Sequence, residues 1–279
     1  MLAQGLWELL FSNPLKKIVS EMNKQRVIYY KDELNDDFAG NNIKRKTLGE
    51  NFKYVHTNWL WKIFEFVLYY AVASPLVYLI QKIYTRQKFV NKKVFKKVKN
   101  EGYFIYSNHT QYMNDAYIGA LSNWPKKCFV IANPDATSIK GIRALVQALG
   151  VIPLGTTIRE MKEMLGCVNT RINEKKAIII YPEAHIWPYY TKIRPFSYES
   201  FKYPVKLNKP IFVLTNCYQK SKIFKRPKVV TYVDGPFYPN KELIINDAAK
   251  ELRNIAYDTM TKRVTENSNY EYIKYIKSE

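Results

Sequence analysis

The pattern of hydrophobic and polar positions changes character twice along the chain. Leu2, Leu6, Leu9 and Leu10 share one helical face with Trp7 beside them, and Lys16 and Lys17 follow. This spacing predicts a short amphipathic helix within residues 1–22, either a core helix or an interfacial anchor. Residues 23–58 are polar and mixed, with acidic Asp32-Glu33 and Asp36-Asp37 and basic Lys44-Arg45-Lys46. They read as an irregular lead-in.

Residues 59–83 are the most apolar part, and from Phe66 to Ile80 they carry no charge. That uncharged run is shorter than the roughly twenty residues a helix needs to span a bilayer. Pro75 sits near its middle and disfavours helix at Ser74. Trp59, Trp61, Tyr69, Tyr70 and Tyr78 are amphipathic aromatics of the kind found at headgroup level. A basic flank follows: Lys82, Arg86, Lys88, Lys92, Lys93, Lys96, Lys97 and Lys99. An apolar hairpin dipping into one leaflet fits this pattern best. A single spanning helix and a buried helix of a soluble core are the alternatives.

From residue 100 the pattern alternates. Strands are expected at 103–107, 127–132, 177–181, 211–216 and 228–233. Helices are expected at 115–122, 138–149, 158–174 and 240–264. Such alternation predicts an α/β fold: a layered, mostly parallel sheet flanked by helices. The chain therefore divides into an N-terminal helix and irregular lead-in (1–58), an apolar membrane-associating helical segment with a basic flank (59–99), and an α/β domain (100–279).

Composition adds one signal of light weight. The chain has 44 Lys+Arg against 24 Asp+Glu, a net charge of +20. Such an excess points to a polyanionic partner, either an anionic membrane surface or nucleic acid. Cys128, Cys167 and Cys217 are odd in number and widely spaced, with neither a disulfide framework nor metal-ligand spacing. No signal peptide is evident, and a reducing cytosolic setting is the simplest reading. No Gly-rich phosphate loop or other cofactor motif is present, so neither a cofactor nor a metal is expected.

The candidate chemistry lies at Ser107-Asn108-His109-Thr110-Gln111-Tyr112-Met113-Asn114-Asp115, where the expected strand at 103–107 gives way to a helix. Strand ends are where α/β proteins place reacting groups. A His–Asp pair makes a general base, the carboxylate fixing the tautomer and stabilising the imidazolium. On the residues alone, a helix start capped by Asn114 or Asp115, with His109 filling space, is the favoured reading.

Other segments bear on that choice. Asn108-His109 with Asp115 resembles the N-H-x-x-x-x-D box of the glycerolipid acyltransferases. Gly150-Val151-Ile152-Pro153-Leu154 is similar to the start of that family's G-x-x-P-[IV]-x-R block, and Tyr181-Pro182-Glu183 to its F-P-E-G-T-R block. Pro195-Phe196 and Lys209-Pro210-Ile211-Phe212-Val213 resemble its later P-F segment and V-P-I-I-P strand. The blocks occur in the family's order, over roughly residues 59–235.

There are departures. Five residues, not four, separate His109 from Asp115, and Asn114 holds the usual aspartate position. An amide cannot balance the charge of an imidazolium, so Asp115 is the expected partner. Thr156 stands where the second block carries arginine, and Ala184, His185 and Ile186 replace G-T-R. The family uses those arginines to hold an acceptor phosphate. Arg159, Lys192 and Arg194 are the candidate replacements, a guanidinium fork suiting a phosphate best. Solvated surface charge is the other reading of each.

The resemblance implies acyl transfer from a thioester of acyl-carrier protein or coenzyme A to the free hydroxyl of a lysophosphatidic acid-like acceptor. His109 would be the base and Asp115 its support, with Asn108, Glu183 and His185 at the acceptor site. For Glu183 a carboxylate accepting backbone N–H groups of the following turn is an alternative, and for His185 a structural histidine. Glycerol 3-phosphate or another lysolipid is an alternative acceptor. The expected location is the cytoplasmic face of the cell membrane, peripheral or monotopic. A non-catalytic protein binding anionic membrane or nucleic acid is the alternative of another class; no nucleic-acid motif is present, and nucleic acid is not the expected partner.

Overall fold

The computed structural model describes residues 27–38, 48–49, 52–112, 114–134, 137 and 141–278. The helix expected within 1–22 lies outside them. Strand β1 is Val27–Tyr30. Helix α1 is built of four consecutive segments, Trp59–Phe66, Val67–Ala73, Ser74–Ile80 and Gln81–Thr85. Then come β2 (Lys88–Val90), β3 (Tyr103–Ser107), α2 (Asp115–Ser122), β4 (Cys128–Ala132), α3 (Arg143–Ala148) and β5 (Val151–Pro153). The chain continues with α4 (Ile158–Asn173), β6 (Ala177–Ile180), α5 (Lys202–Leu207), β7 (Ile211–Gln219), β8 (Lys228–Phe237), α6 (Ile245–Asn267) and β9 (Lys274–Lys277).

Seven strands form one sheet in the order β2-β8-β7-β3-β6-β4-β5. Only the β7–β8 pair is antiparallel. The expected α/β class and mostly parallel sheet are what the chain forms. Central β3 is fully buried and serves both layers, because alternate side chains leave a strand on opposite faces. Phe104 and Tyr106 join the cluster under α4 and α6, and Tyr103 and Ile105 the cluster that contains Ile118 of α2. A strand covered on both faces has no polar face to show, which explains the unbroken apolar run.

Helix α4 starts at a capping box. Thr157 accepts from the Glu160 amide, and the Glu160 side chain accepts in return. Helix α2 packs closely on the sheet because Gly119 faces Cys128; a Cβ there would stand 2.6 Å from the Cys128 sulfur. Strand β1 pairs with β9 in a separate two-stranded parallel sheet. Tyr30, Phe38 and Tyr275 surround Trp187, and Leu48, Phe52 and Tyr54 enter the main core. Part of the lead-in therefore belongs to the folded body.

The expected apolar hairpin is not what forms. The 25-residue apolar stretch Trp59–Ile83 lies within one continuous helix, α1. Pro75 is accommodated because it opens the Ser74–Ile80 segment directly after the π-helical Val67–Ala73. A proline at the start of an α segment gives up little there. The helix lies along the domain. Lys127, just before β4, meets Glu65 at 2.7 Å, and the Cys128 amide donates to the Tyr69 hydroxyl at 3.1 Å. The rest of its surface is open, with Trp59, Leu60, Ile63, Phe66, Leu79 and Ile83 exposed.

Candidate active site

Strand β3 ends at Ser107, and the turn that follows is held from several sides. Asn108 and Asn216 of β7 bond reciprocally: the Asn216 amide donates to Asn108 Oδ1 at 2.8 Å, and Asn108 Nδ2 donates to the Asn216 carbonyl at 3.1 Å. This pair closes the gap where the ladder between β3 and β7 ends. Backbone donors from 187 and 189 satisfy the carbonyls of His109 and Thr110. Tyr218 donates to the Thr110 carbonyl at 3.0 Å.

Within that frame His109 Nδ1 lies 2.8 Å from Asp115 Oδ2. The same oxygen accepts the Gln111 amide at 2.9 Å. The Asp115 side chain is 2% exposed and that of His109 23%. Asp115 opens α2, where the helix dipole favours a negative charge. Burial pushes its carboxyl above the usual range; His109 and the amides of Gln111 and Thr110 oppose that rise. A carboxylate at Nδ1 keeps the ring proton there and leaves the Nε2 lone pair for chemistry. Tyr181 stacks on the imidazole at 4.4 Å between centroids and donates its hydroxyl to the Asp115 carbonyl.

Asn114 turns away from the histidine. Its Nδ2 donates to Gln87 at 3.2 Å and to Gln111 at 3.1 Å. Gln87 in turn receives Gln81 of α1 at 2.9 Å and donates to Thr231 of β8 at 2.5 Å. A network of neutral side chains thus joins the end of α1, the edge of the sheet and the back of the His109 turn.

Glu183 lies behind the pair. One carboxylate oxygen accepts the His109 amide at 3.0 Å and the other the Arg194 amide at 3.0 Å. The Arg194 guanidinium lies 3.4 Å from Glu183, covers the Trp187 ring at 5.0 Å and donates to the His185 carbonyl. Arg194 is 1% exposed. Burial pushes Glu183 up, and Arg194 opposes it. Glu183 and Arg194 therefore clamp the turn after β6 to the amide of His109.

A cleft of about 620 Å³ opens in front of His109, lined also by Asp115, Tyr181, Tyr112, Asn133 and Ser200. Among the described residues no lysine or arginine lines it. Arg159 stands exposed on α4, its Nε 3.8 Å from Glu163, and Lys192 is exposed. His185 lies 3.7 Å from Asp37. The structure thus brings together His109, Asp115 and Glu183 from the sequence-derived set. Asn108 holds the strand end, and Arg159, Lys192 and Arg194 stand apart from the cleft.

Two contributors escape a reading of the sequence, Tyr181 and Gln87. Tyr181 was within reach as the first residue of the Tyr-Pro-Glu block. Gln87 lies among the basic flank with nothing to mark it. Cys128, Cys167 and Cys217 are buried, and burial raises each thiol, so none is placed as a nucleophile. Among the described residues no group of three or more His, Cys, Asp or Glu could hold a metal ion.

No curated protein matches the chain. Among solved structures it is similar to the 1-acyl-sn-glycerophosphate (LPA) acyltransferase PlsC from Thermotoga maritima, at 16% identity and a TM-score of 0.47, over 74% of this chain and 88% of that one. The family model described as Acyltransferase matches residues 77–216, half of the chain, a span that takes in His109, Asp115, Tyr181 and Glu183; the chain belongs to the acyltransferase family.

Proposed function

We propose that this acyltransferase moves a fatty acyl group from a thioester of acyl-carrier protein or coenzyme A to the free hydroxyl of a lysophosphatidic acid-like glycerolipid. The 2.8 Å contact between His109 and Asp115 at the mouth of the cleft carries the reading. His109 Nε2 takes the hydroxyl proton as the oxygen attacks the thioester carbonyl. The tetrahedral intermediate expels the thiolate, which recovers the proton from the imidazolium. Asp115 holds the ring and balances its charge. General-base catalysis of this kind contributes about 10²–10⁴-fold. The acceptor attacks directly, so no enzyme nucleophile is needed.

The site works at a membrane surface, peripherally or monotopically, on the cytoplasmic face. The uncovered apolar side of α1 supports this, the hydropathic stretch being only 6% buried. Its bonds to the domain at Glu65 and Gln81 hold the helix alongside the sheet. An interfacial helix has this form.

The cleft's lack of cations among the described residues favours a second reading of the acceptor. The same chemistry then acts on a lysolipid without a phosphate monoester. Incubating detergent-held protein with acyl-carrier protein and coenzyme A thioesters and a panel of lyso-acceptors, read by mass spectrometry, separates the two. His109→Ala in parallel should cut product formation by about 10²–10⁴-fold; undiminished transfer overturns the mechanism.

A further inference from the structure

The loop joining β7 to β8 has a composition that the chemistry above does not use. Residues 220–228 read Lys-Ser-Lys-Ile-Phe-Lys-Arg-Pro-Lys, and no acidic residue occurs between Glu199 and Asp234. At its tip Ile223 is 82% exposed and Phe224 45%. Lys220, Lys222, Lys225 and Lys228 surround them, all exposed.

The tip is held in shape. Ser221 Oγ accepts the amides of Ile223 at 3.4 Å and Phe224 at 3.1 Å, and the Lys220 amide donates to Asn269 at 3.0 Å. The Arg86 guanidinium lies 3.7 Å from the centroid of the Phe224 ring. Arg86 caps the end of α1, so the tip adjoins that end of the helix, near exposed Leu79 and Ile83. Strand β7 runs parallel to β3. Its far end therefore lies at the same edge of the sheet as His109.

We infer that the β7–β8 tip is a second membrane-insertion point, which places Ile223 and Phe224 into the headgroup boundary of an anionic leaflet while the lysines meet lipid phosphates. The inference rests on the reading that α1 lies on a membrane, and extends it to a separate element. An ordered apolar pair ringed by cations matches an anionic lipid surface in both respects. The tip adjoins the end of α1, a helix whose apolar side is exposed, which makes lipid the better match than nucleic acid. Two anchored points on different elements fix the tilt of the sheet, where a single helix leaves it free to roll.

The buried native cysteines allow single-site labelling of the full chain. Ile223→Cys and, on α1, Ile63→Cys each receive a polarity-sensitive fluorophore. Each is mixed with vesicles of phosphatidylglycerol and phosphatidylcholine, with and without acyl-chain spin labels. Both labels should shift to the blue and be quenched. Quenching at 63 without quenching at 223 overturns the second insertion point and leaves α1 on the membrane; quenching at neither overturns both. A response at 223 to a single-stranded oligonucleotide, with none to vesicles, assigns the loop to nucleic acid and overturns the inference. In unlabelled protein, Lys222→Gln with Lys225→Gln should weaken vesicle binding on the order of 25-fold, about five-fold per charge, and the loss should vanish at high salt. Unchanged affinity overturns the role of the cations.

Discussion

Asp115 reaches Nδ1 of His109 at 2.8 Å across five intervening residues, while Asn114 faces the opposite way toward Gln87. The longer turn carries the carboxylate past the position where a shorter one would place it. Asp115→Asn should therefore lower kcat by about 10²–10⁴-fold, like His109→Ala, with the acceptor KM nearly unchanged. Asn114→Ala should leave kcat within about three-fold and cost on the order of 1 kcal/mol of stability. Steady-state kinetics of the three variants decide the register; the reverse ranking of 114 and 115 would refute it.

Arg194 is expected to matter for folding rather than for phosphate. Arg194→Met leaves Glu183 buried without its charge partner, which costs about 3–5 kcal/mol. The melting temperature should fall steeply, and the folded fraction should keep its acceptor KM. A raised KM with an unchanged melting temperature would make Arg194 an acceptor ligand after all.

Ala184 has φ +63°, in the left-handed region that favours glycine. Ala184→Gly should stabilise the protein by about 1 kcal/mol and raise the melting temperature by roughly 2–4 °C. Calorimetry showing no gain would mean that the turn after Glu183 relaxes at no cost.

Lys127 gives a pH signature. Burial holds its ammonium down at about 8, outweighing the attraction of Glu65, against an ordinary value of 10.5. Between those values the unfolded chain binds a proton that the folded protein has released. Stability from this group thus rises with pH across that window. Relative to Lys127→Met, the wild type should gain roughly 1 kcal/mol per pH unit there. Denaturant unfolding at several pH values measures it; a constant difference would mean an unshifted lysine.

The elements legible in the sequence are those whose environment is simple. Tyr103–Ser107 and Ala177–Ile180 are covered on both faces, so their apolar runs announce them. Strands β1 and β9 escape notice because each is short and half exposed, and each exists only through a partner at the other end of the chain. Strand β2 hides among lysines for the same reason. Pro75 misleads because π-helical geometry just before it absorbs the break. At the site, His109 and Asp115 are readable from type and spacing. Arg194 is not, since only the surrounding Glu183 and Trp187 distinguish a buried arginine from a solvated one.

Glutamine, asparagine and threonine alone make the junction at Gln87, where the end of α1 meets the His109 turn. At an anionic leaflet the local concentrations of protons and cations both rise above those of the bulk. Ion pairs respond to each of these changes, by titrating and by being screened. Amides and hydroxyls respond to neither. The Gln87 side of the support behind the catalytic turn therefore stays the same when the protein moves from solution to a charged surface, whatever happens to its lysines.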